Sequence, residues 1–207
     1  MKKIILSVVL AAVAATSAMA QFSVGAGYLN QTLKTTVSDN TTNAAFQGVY
    51  VGADASYYLG LGFSVVPGIY YGYLSSDENL GFSLASVSSS TKNHYIAVPV
   101  NFKYGIKPLD VLGVFAYAGP QFSLGISSKT TTTGTVLGAS GSSVLDNYGD
   151  DGHLNRFNIS AGVGLGVELF DVVRVEFGYN YGFLNLSNLD NVTSKASSWH
   201  VGAAFLF

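Results

Sequence analysis

Ser198 and His200 sit two positions apart near the end of the chain, and a hydroxyl beside an imidazole is the first half of a nucleophilic site. A hydrolase also needs a third group to orient the imidazole, and no residue is identifiable for that role. Gly162, Gly164 and Gly166 resemble a phosphate-cradling run, but they alternate along a strand-like segment and no helix start follows them. His94, His153 and His200 are far apart, and the chain has no cysteine, so no ligand spacing supports a metal site. Asp146, Asp150 and Asp151 lack the spacing of a calcium loop. No cofactor is expected, and the chain is not read as an enzyme. Five charged residues remain, Asp54, Lys103, Glu168, Arg174 and Glu176. All five fall on the polar side of segments whose other side carries no charge, and their meaning depends on what those segments are.

The segments repeat every two residues, the period of a β-strand. Phe22, Val24, Ala26 and Tyr28 alternate with Ser23, Gly25 and Gly27, and Val49 to Tyr57 alternate with Gly48 to Ser56. Phe63 to Tyr73, Ile96 to Tyr104, Val114 to Leu124, Phe157 to Leu169, Val173 to Tyr181 and Trp199 to Phe207 follow the same rule, which makes eight strands. Only 11% of residues are charged, whereas Gly (24), Tyr (13) and Phe (13) are plentiful. A soluble sandwich would show the polar set to water, yet that set is mostly Gly, Ser, Ala, Asn and Tyr. Turned inward, the same residues suit a narrow lumen in which small residues make room for a few charges and tyrosines.

The connections sort in the same direction. Long polar stretches at 34–47, 75–93, 127–155 and 187–197 alternate strictly with tight links at 60–62, 106–112 and 170–172. A meander across a membrane has that alternation, with short turns on the periplasmic side and long loops outside, of which 127–155 is either mobile or a hairpin that extends its flanking strands above the membrane. An even number of strands puts both termini at the periplasmic side. Unsatisfied backbone groups are costly in hydrocarbon, so the sheet must close, with the last strand pairing with the first. Aromatics at strand ends predict two interfacial girdles: Phe22, Tyr57, Phe63, Tyr104, Phe205 and Phe207 at one rim, and Tyr28, Tyr71, Tyr73, Phe157, Tyr181 and Trp199 at the other. Pro67, Pro99 and Pro120 lie within strands and each removes a ladder donor, which predicts bulges at some of them.

Met1-Lys2-Lys3, the apolar run Ile4 to Ala15 and Ala18-Met19-Ala20 have the form of an export signal cleaved after Ala20. This leaves 21–207 as one barrel domain. The net charge of −2 shows no basic run, so nucleic acid is not an expected partner.

Several motifs in order resemble the small outer-membrane β-barrel domain family, the porin-family or PorT-like proteins similar in architecture to OmpX and OmpA barrels. They are Tyr95-Ile96-Ala97-Val98-Pro99 with Lys103-Tyr104, Tyr117-Ala118-Gly119-Pro120, Gly162-Val163-Gly164 with Glu168, and the terminal Phe207. The resemblance implies an outer-membrane location in a Gram-negative cell. It also implies that Phe207 is the signal by which the barrel-assembly machinery recognises the C-terminal strand. The combined expectation is an all-β, eight-stranded, antiparallel, up-and-down transmembrane barrel, monomeric and surrounded by outer-membrane lipid. Its lumen would be filled by a charge network of Asp54, Lys103, Glu168, Arg174 and Glu176. Its role would be structural or surface-interacting, through long loops that could meet an extracellular ligand. A narrow channel for solutes or ions is the alternative, and a lipid hydrolase the third.

Overall fold

The computed structural model describes residues 20–82, 85–136, 139–149, 152–189 and 191–207. The export segment falls almost wholly outside them. Nine strands follow one another: β1 (Ala20–Val37), β2 (Asn40–Gly60), β3 (Phe63–Phe82), β4 (Ala85–Leu109), β5 (Leu112–Val136), β6 (Ala139–Asp146), β7 (Phe157–Leu169), β8 (Val173–Gly182) and β9 (Val192–Leu206). β6 pairs with the far half of β5 alone. The other eight form an antiparallel ring in which β4 pairs with β5, β5 with β7, and β9 with β1. At the closing seam Val24 faces Phe205 and Tyr28 faces Val201. The Phe207 N–H donates to the Phe22 carbonyl at 2.8 Å, so pairing continues to the last residue.

The two faces of the ring separate as the alternation predicts. Val163 is 57% exposed on the outer wall, whereas Ser23 and Arg174 inside are 1% and 3% exposed. Outward aromatics gather at two levels. Phe63 lies 4.8 Å from Tyr104 and Phe205 lies 5.0 Å from Phe207 near the short turns. Toward the other end Tyr28 lies 5.5 Å from Trp199, and Tyr73 lies 5.0 Å from the His94 ring.

Two expectations need correction. The stretches at 34–47 and 75–93 are not loops but continuations of the strands, and most of 127–146 takes the hairpin form that the sequence allowed there. Val37 pairs with Asn40 and Phe82 with Ala85, and the β5–β6 hairpin runs out to Val136 opposite Ala139. Strands of up to 25 residues therefore rise past the belt as a polar extension. Ser and Thr suit this, because their hydroxyls pair across strands: Thr35 with Ser194 at 3.0 Å, Thr36 with Thr41 at 3.1 Å, and Thr91 with Thr130 at 2.9 Å. The prolines, in turn, do not shift the register. Asp54 faces Gly68 and Tyr57 faces Val65 on either side of Pro67, and Pro99 faces Gln121 with Phe102 facing Ala118 beyond it. Pairing beside Pro120 is continuous. A one-residue slip would turn the rest of each strand inside out, and long ladders on both sides oppose that. The register shifts that do occur lie at Tyr58/Gly60, His94/Tyr95 and Ile106/Leu109, the ends of the crossings.

The tight links have the backbone their residues allow. Gly60 and Gly62 take φ of 107° and 85°, in the region that glycine occupies without a Cβ clash. Phe170 and Asp171 both have positive φ, 54° and 56°, as a two-residue hairpin turn between right-twisted strands requires.

Candidate functional site

The lumen is the one place where the charges converge. Arg174 on β8 extends across the barrel to Asp54 on β2. Its Nη1 donates to Asp54 Oδ1 at 3.2 Å, its Nη2 donates to Asp54 Oδ2, and Nη2 also donates to the Ser23 hydroxyl at 3.1 Å. Ser23 in turn donates to Asp54 Oδ1 at 2.8 Å, and the Tyr70 hydroxyl donates to Oδ2. The rows between β8 and β2 carry Ala204 and Gly25, whose small size leaves room for the arginine. Arg174 Nε lies 3.3 Å from Glu176 Oε2, which gives attraction between charges without an aligned hydrogen bond. Glu168 is the backbone neighbour of Arg174, but its carboxylate turns to Lys103 at 2.8 Å. The Lys103 ammonium also lies 5.2 Å from the centre of the Phe115 ring.

The five residues singled out in the sequence thus meet in two groups. Lys103 and Glu168 close the short-turn end, and Asp54, Arg174 and Glu176 lie above them. The sequence places Glu168, Arg174 and Glu176 together near the short turns, with Asp54 and Lys103 as possible partners elsewhere on the wall. In the structure Asp54 pairs with Arg174 and Lys103 with Glu168. The Lys103–Glu168 pair borders the cavity at the short-turn mouth, so water reaches the carboxylate if the lysine is removed. Lys103→Ala is expected to cost about 1 to 3 kcal/mol, read as a fall in the urea midpoint of the protein folded in micelles.

Aromatic rings fill the space above the charges, the tyrosines that the polar face carries among its small residues. Each lies against glycines of neighbouring strands: Tyr50 over Gly27 and Gly202, Tyr70 over Gly52, Tyr95 over Gly72, and Tyr117 over Gly164 and Gly178. A Cβ at any of these glycines would overlap a ring. The signal was present as glycines on the polar face and tyrosines among them, but only the register shows which ring lies on which glycine. Leu29, Phe46 and Leu74 form a buried apolar cluster that packs against Tyr50 and Tyr95.

His200 joins this layer. The Tyr117 hydroxyl lies 3.0 Å from its Nε2 and the Asn180 amide nitrogen 3.5 Å from its Nδ1, with the Tyr50 ring edge-on at 5.8 Å. Both ring nitrogens face Tyr117 and Asn180, and no hydrogen bond joins His200 to Ser198 among the described residues. His94 lies on the outer wall, with its Nδ1 2.5 Å from the Tyr71 hydroxyl, and His153 is exposed in the loop after β6. Among the described residues no three His, Asp or Glu side chains are grouped to hold a metal ion.

At the long-hairpin end the loop after β6 folds over the opening. Tyr148 lies on Gly125, and the Arg156 guanidinium lies 4.8 Å from the Tyr148 ring and donates to the Ile126 carbonyl at 3.0 Å. Burial pushes the Tyr148 phenol up from its ordinary value, with Arg156 acting in the opposite sense. Between this cover and the tyrosine layer lies a cavity of about 100 Å³, and a second of about 90 Å³ lies within the layer.

The family described as outer membrane protein beta-barrel domain matches residues 14–188. The chain belongs to this family. As an outer membrane beta-barrel protein it is integral to the outer membrane of a Gram-negative cell, with lipid against its outer wall. No curated protein matches the chain. Among solved structures it is similar to Ail, the attachment invasion locus protein of Yersinia pestis, solved with the heparin analogue sucrose octasulfate. That match has 14% identity and a TM-score of 0.46, over 91% of this chain and 99% of Ail. Neisserial surface protein A is similar at 16% identity and a TM-score of 0.45, over 90% and 97% of the two chains. OprG of Pseudomonas aeruginosa is similar at 10% identity and a TM-score of 0.36, over 90% and 95%.

Proposed function

We propose that this outer membrane beta-barrel is a closed, monomeric scaffold whose role is to hold long hairpins at the cell surface, not to conduct solute. The observation that carries this reading is the ion pair of Arg174 and Asp54 bridging the lumen beneath a layer of Tyr50, Tyr70, Tyr95 and Tyr117. Cavities of about 90 and 100 Å³ lie within and above that layer, a third of about 210 Å³ lies at the short-turn mouth, and the side chains between them fill what an eight-stranded ring leaves open. The tight turns face the periplasm and the hairpins face outside, so both termini of the barrel are periplasmic. The segment 1–20 is removed on export, and 21–207 is the mature barrel. Phe207 is the assembly signal, an outward aromatic at the end of the closing strand, 70% exposed on the outer wall of the ring. Beyond the bilayer the Ser- and Thr-rich hairpins present hydroxyls and ladder edges to an external ligand.

Recording across a planar bilayer tests this directly. Folded protein inserted from micelles is expected to give no large, steady conductance at any holding voltage. Stable ohmic steps would favour the narrow-channel reading.

A further inference from the structure

Basic residues are scarce on the outer wall, and their placement is unfavourable unless something anionic lies between them. Lys34 on β1 faces Lys195 on β9 directly, and Lys92 on β4 faces Lys129 on β5 directly. All four point outward. Their strand neighbours Leu33, Ala196, Asn93 and Ser128 take the inward positions, with Ala196 and Ser128 5% and 1% exposed. Like charges directly opposite one another on a sheet face destabilise it. Among the described residues no carboxylate lies within 4.0 Å of any of the four ammonium groups. Asp146 on β6 is the direct ladder partner of Lys129, and Asp77 faces Ser90 beside Lys92, but neither carboxylate comes within ion-pair distance of a lysine. Among the described residues no carboxylate occupies the rows around Lys34 and Lys195, where Asn43, Thr32, Thr36, Thr193 and Ser197 supply amide and hydroxyl donors.

The height of the two pairs identifies the anion. Lys92 is two residues above His94, and Lys195 is four residues above Trp199, both members of the outer aromatic level. At about 3.3 Å per residue this is roughly 7 to 13 Å along a tilted strand, which spans the headgroup zone above the hydrocarbon. Whatever touches the outer wall at that level is the polar end of a lipid. Resting on the outside-facing orientation of the hairpins proposed above, we propose that Lys34–Lys195 and Lys92–Lys129 are two clamps for phosphate groups on lipid headgroups of the outer leaflet. Each phosphate sits between two ammonium groups and replaces their repulsion with two attractions.

The test uses the full mature protein folded in maltoside micelles, which carry no charge. Phosphatidic acid is mixed in as a phosphomonoester lipid, diacylglycerol serves as its phosphate-free control, and inorganic phosphate is used at equal concentration. The readout is the temperature at which the folded, fast-migrating gel band is lost. Phosphatidic acid is expected to raise that temperature by at least about 2 °C in the wild type, with diacylglycerol and inorganic phosphate giving no rise. The Lys34→Gln/Lys195→Gln variant should start higher than wild type without phosphate and lose about half the response. Adding Lys92→Gln/Lys129→Gln should remove the remainder. Lys195→Glu should stabilise the phosphate-free state and lower the response further. An equal rise in wild type and the four-lysine variant, no rise in wild type, or a rise reproduced by inorganic phosphate would overturn the clamp. A folded band in every variant before lipid is added separates this result from failure of the barrel reading itself.

Discussion

Replacing Arg174 with alanine is expected to destabilise the barrel by about 3 to 5 kcal/mol without opening a stable channel. The basis is the geometry of the ion pair: Arg174 and Asp54 are each only 4% exposed in their side chains, and Arg174 donates to both carboxylate oxygens of Asp54 and to Ser23. Removing one partner of a buried pair leaves the other charge without compensation, and the cost falls in that range. Ser23 and Tyr70 still donate to Asp54, which keeps the loss from being larger. Channel opening is not expected, because the tyrosine layer and the Leu29, Phe46 and Leu74 cluster remain above the gap. Urea titration of folded protein, paired with bilayer recording, checks both halves. A double replacement, Arg174→Met with Asp54→Leu, should recover much of the loss, as a well-packed apolar pair can replace a buried ion pair. A single-variant loss below about 1 kcal/mol would place the pair in water, not in a closed lumen.

Val163→Arg is expected to cost about 2 to 4 kcal/mol in a bilayer, because Val163 faces outward near the middle of β7, opposite Ala118 and Tyr179. Its neighbour Gly164 faces inward, against the Tyr117 ring. A Cβ at Gly164 would overlap the Tyr117 ring, so Gly164→Val should cost about 1 to 3 kcal/mol through overpacking. The two losses differ in how they depend on the surroundings. The Val163→Arg cost should shrink in detergent micelles, where water reaches the guanidinium, whereas the Gly164→Val cost should be equal in micelle and bilayer. Unfolding both variants in both media provides the comparison, and the same dependence for both would contradict the assigned facing.

What the sequence made legible follows from period and parity. Two-residue alternation identified the eight crossings and their outward sets, and the alternation of connection lengths identified the meander. Both depend on single-residue identity, which a sequence shows directly. The stretches at 34–47 and 75–93 were misread as loops, and for 127–155 a hairpin extension stood only as one alternative. The reason is that Ser, Thr and Asn runs such as Thr130 to Thr133 lack apolar alternation, and their strands are held by cross-strand hydroxyl pairs that only the paired strand makes visible. The lumen charges were found by their rarity, with Asp54 and Lys103 as possible partners of the other three, but which charge meets which was not. Glu168 and Arg174 are ladder neighbours, yet Arg174 passes over Ala204 and Gly25 toward Asp54. Closure across β9 and β1 brings these residues together, and sequence distance gives no hint of it. The glycine recesses beneath Tyr50, Tyr70, Tyr95 and Tyr117 were hidden for the same reason.

The central claim is a closed barrel with lipid around it and ion pairs within it. Gel migration of the mature protein before and after boiling, following folding into detergent micelles, tests it most directly. A fast-migrating band that converts to a slower one on boiling, and that forms only with detergent present, is the predicted result. A compact, monodisperse species in plain buffer, with no band shift on heating, would contradict it.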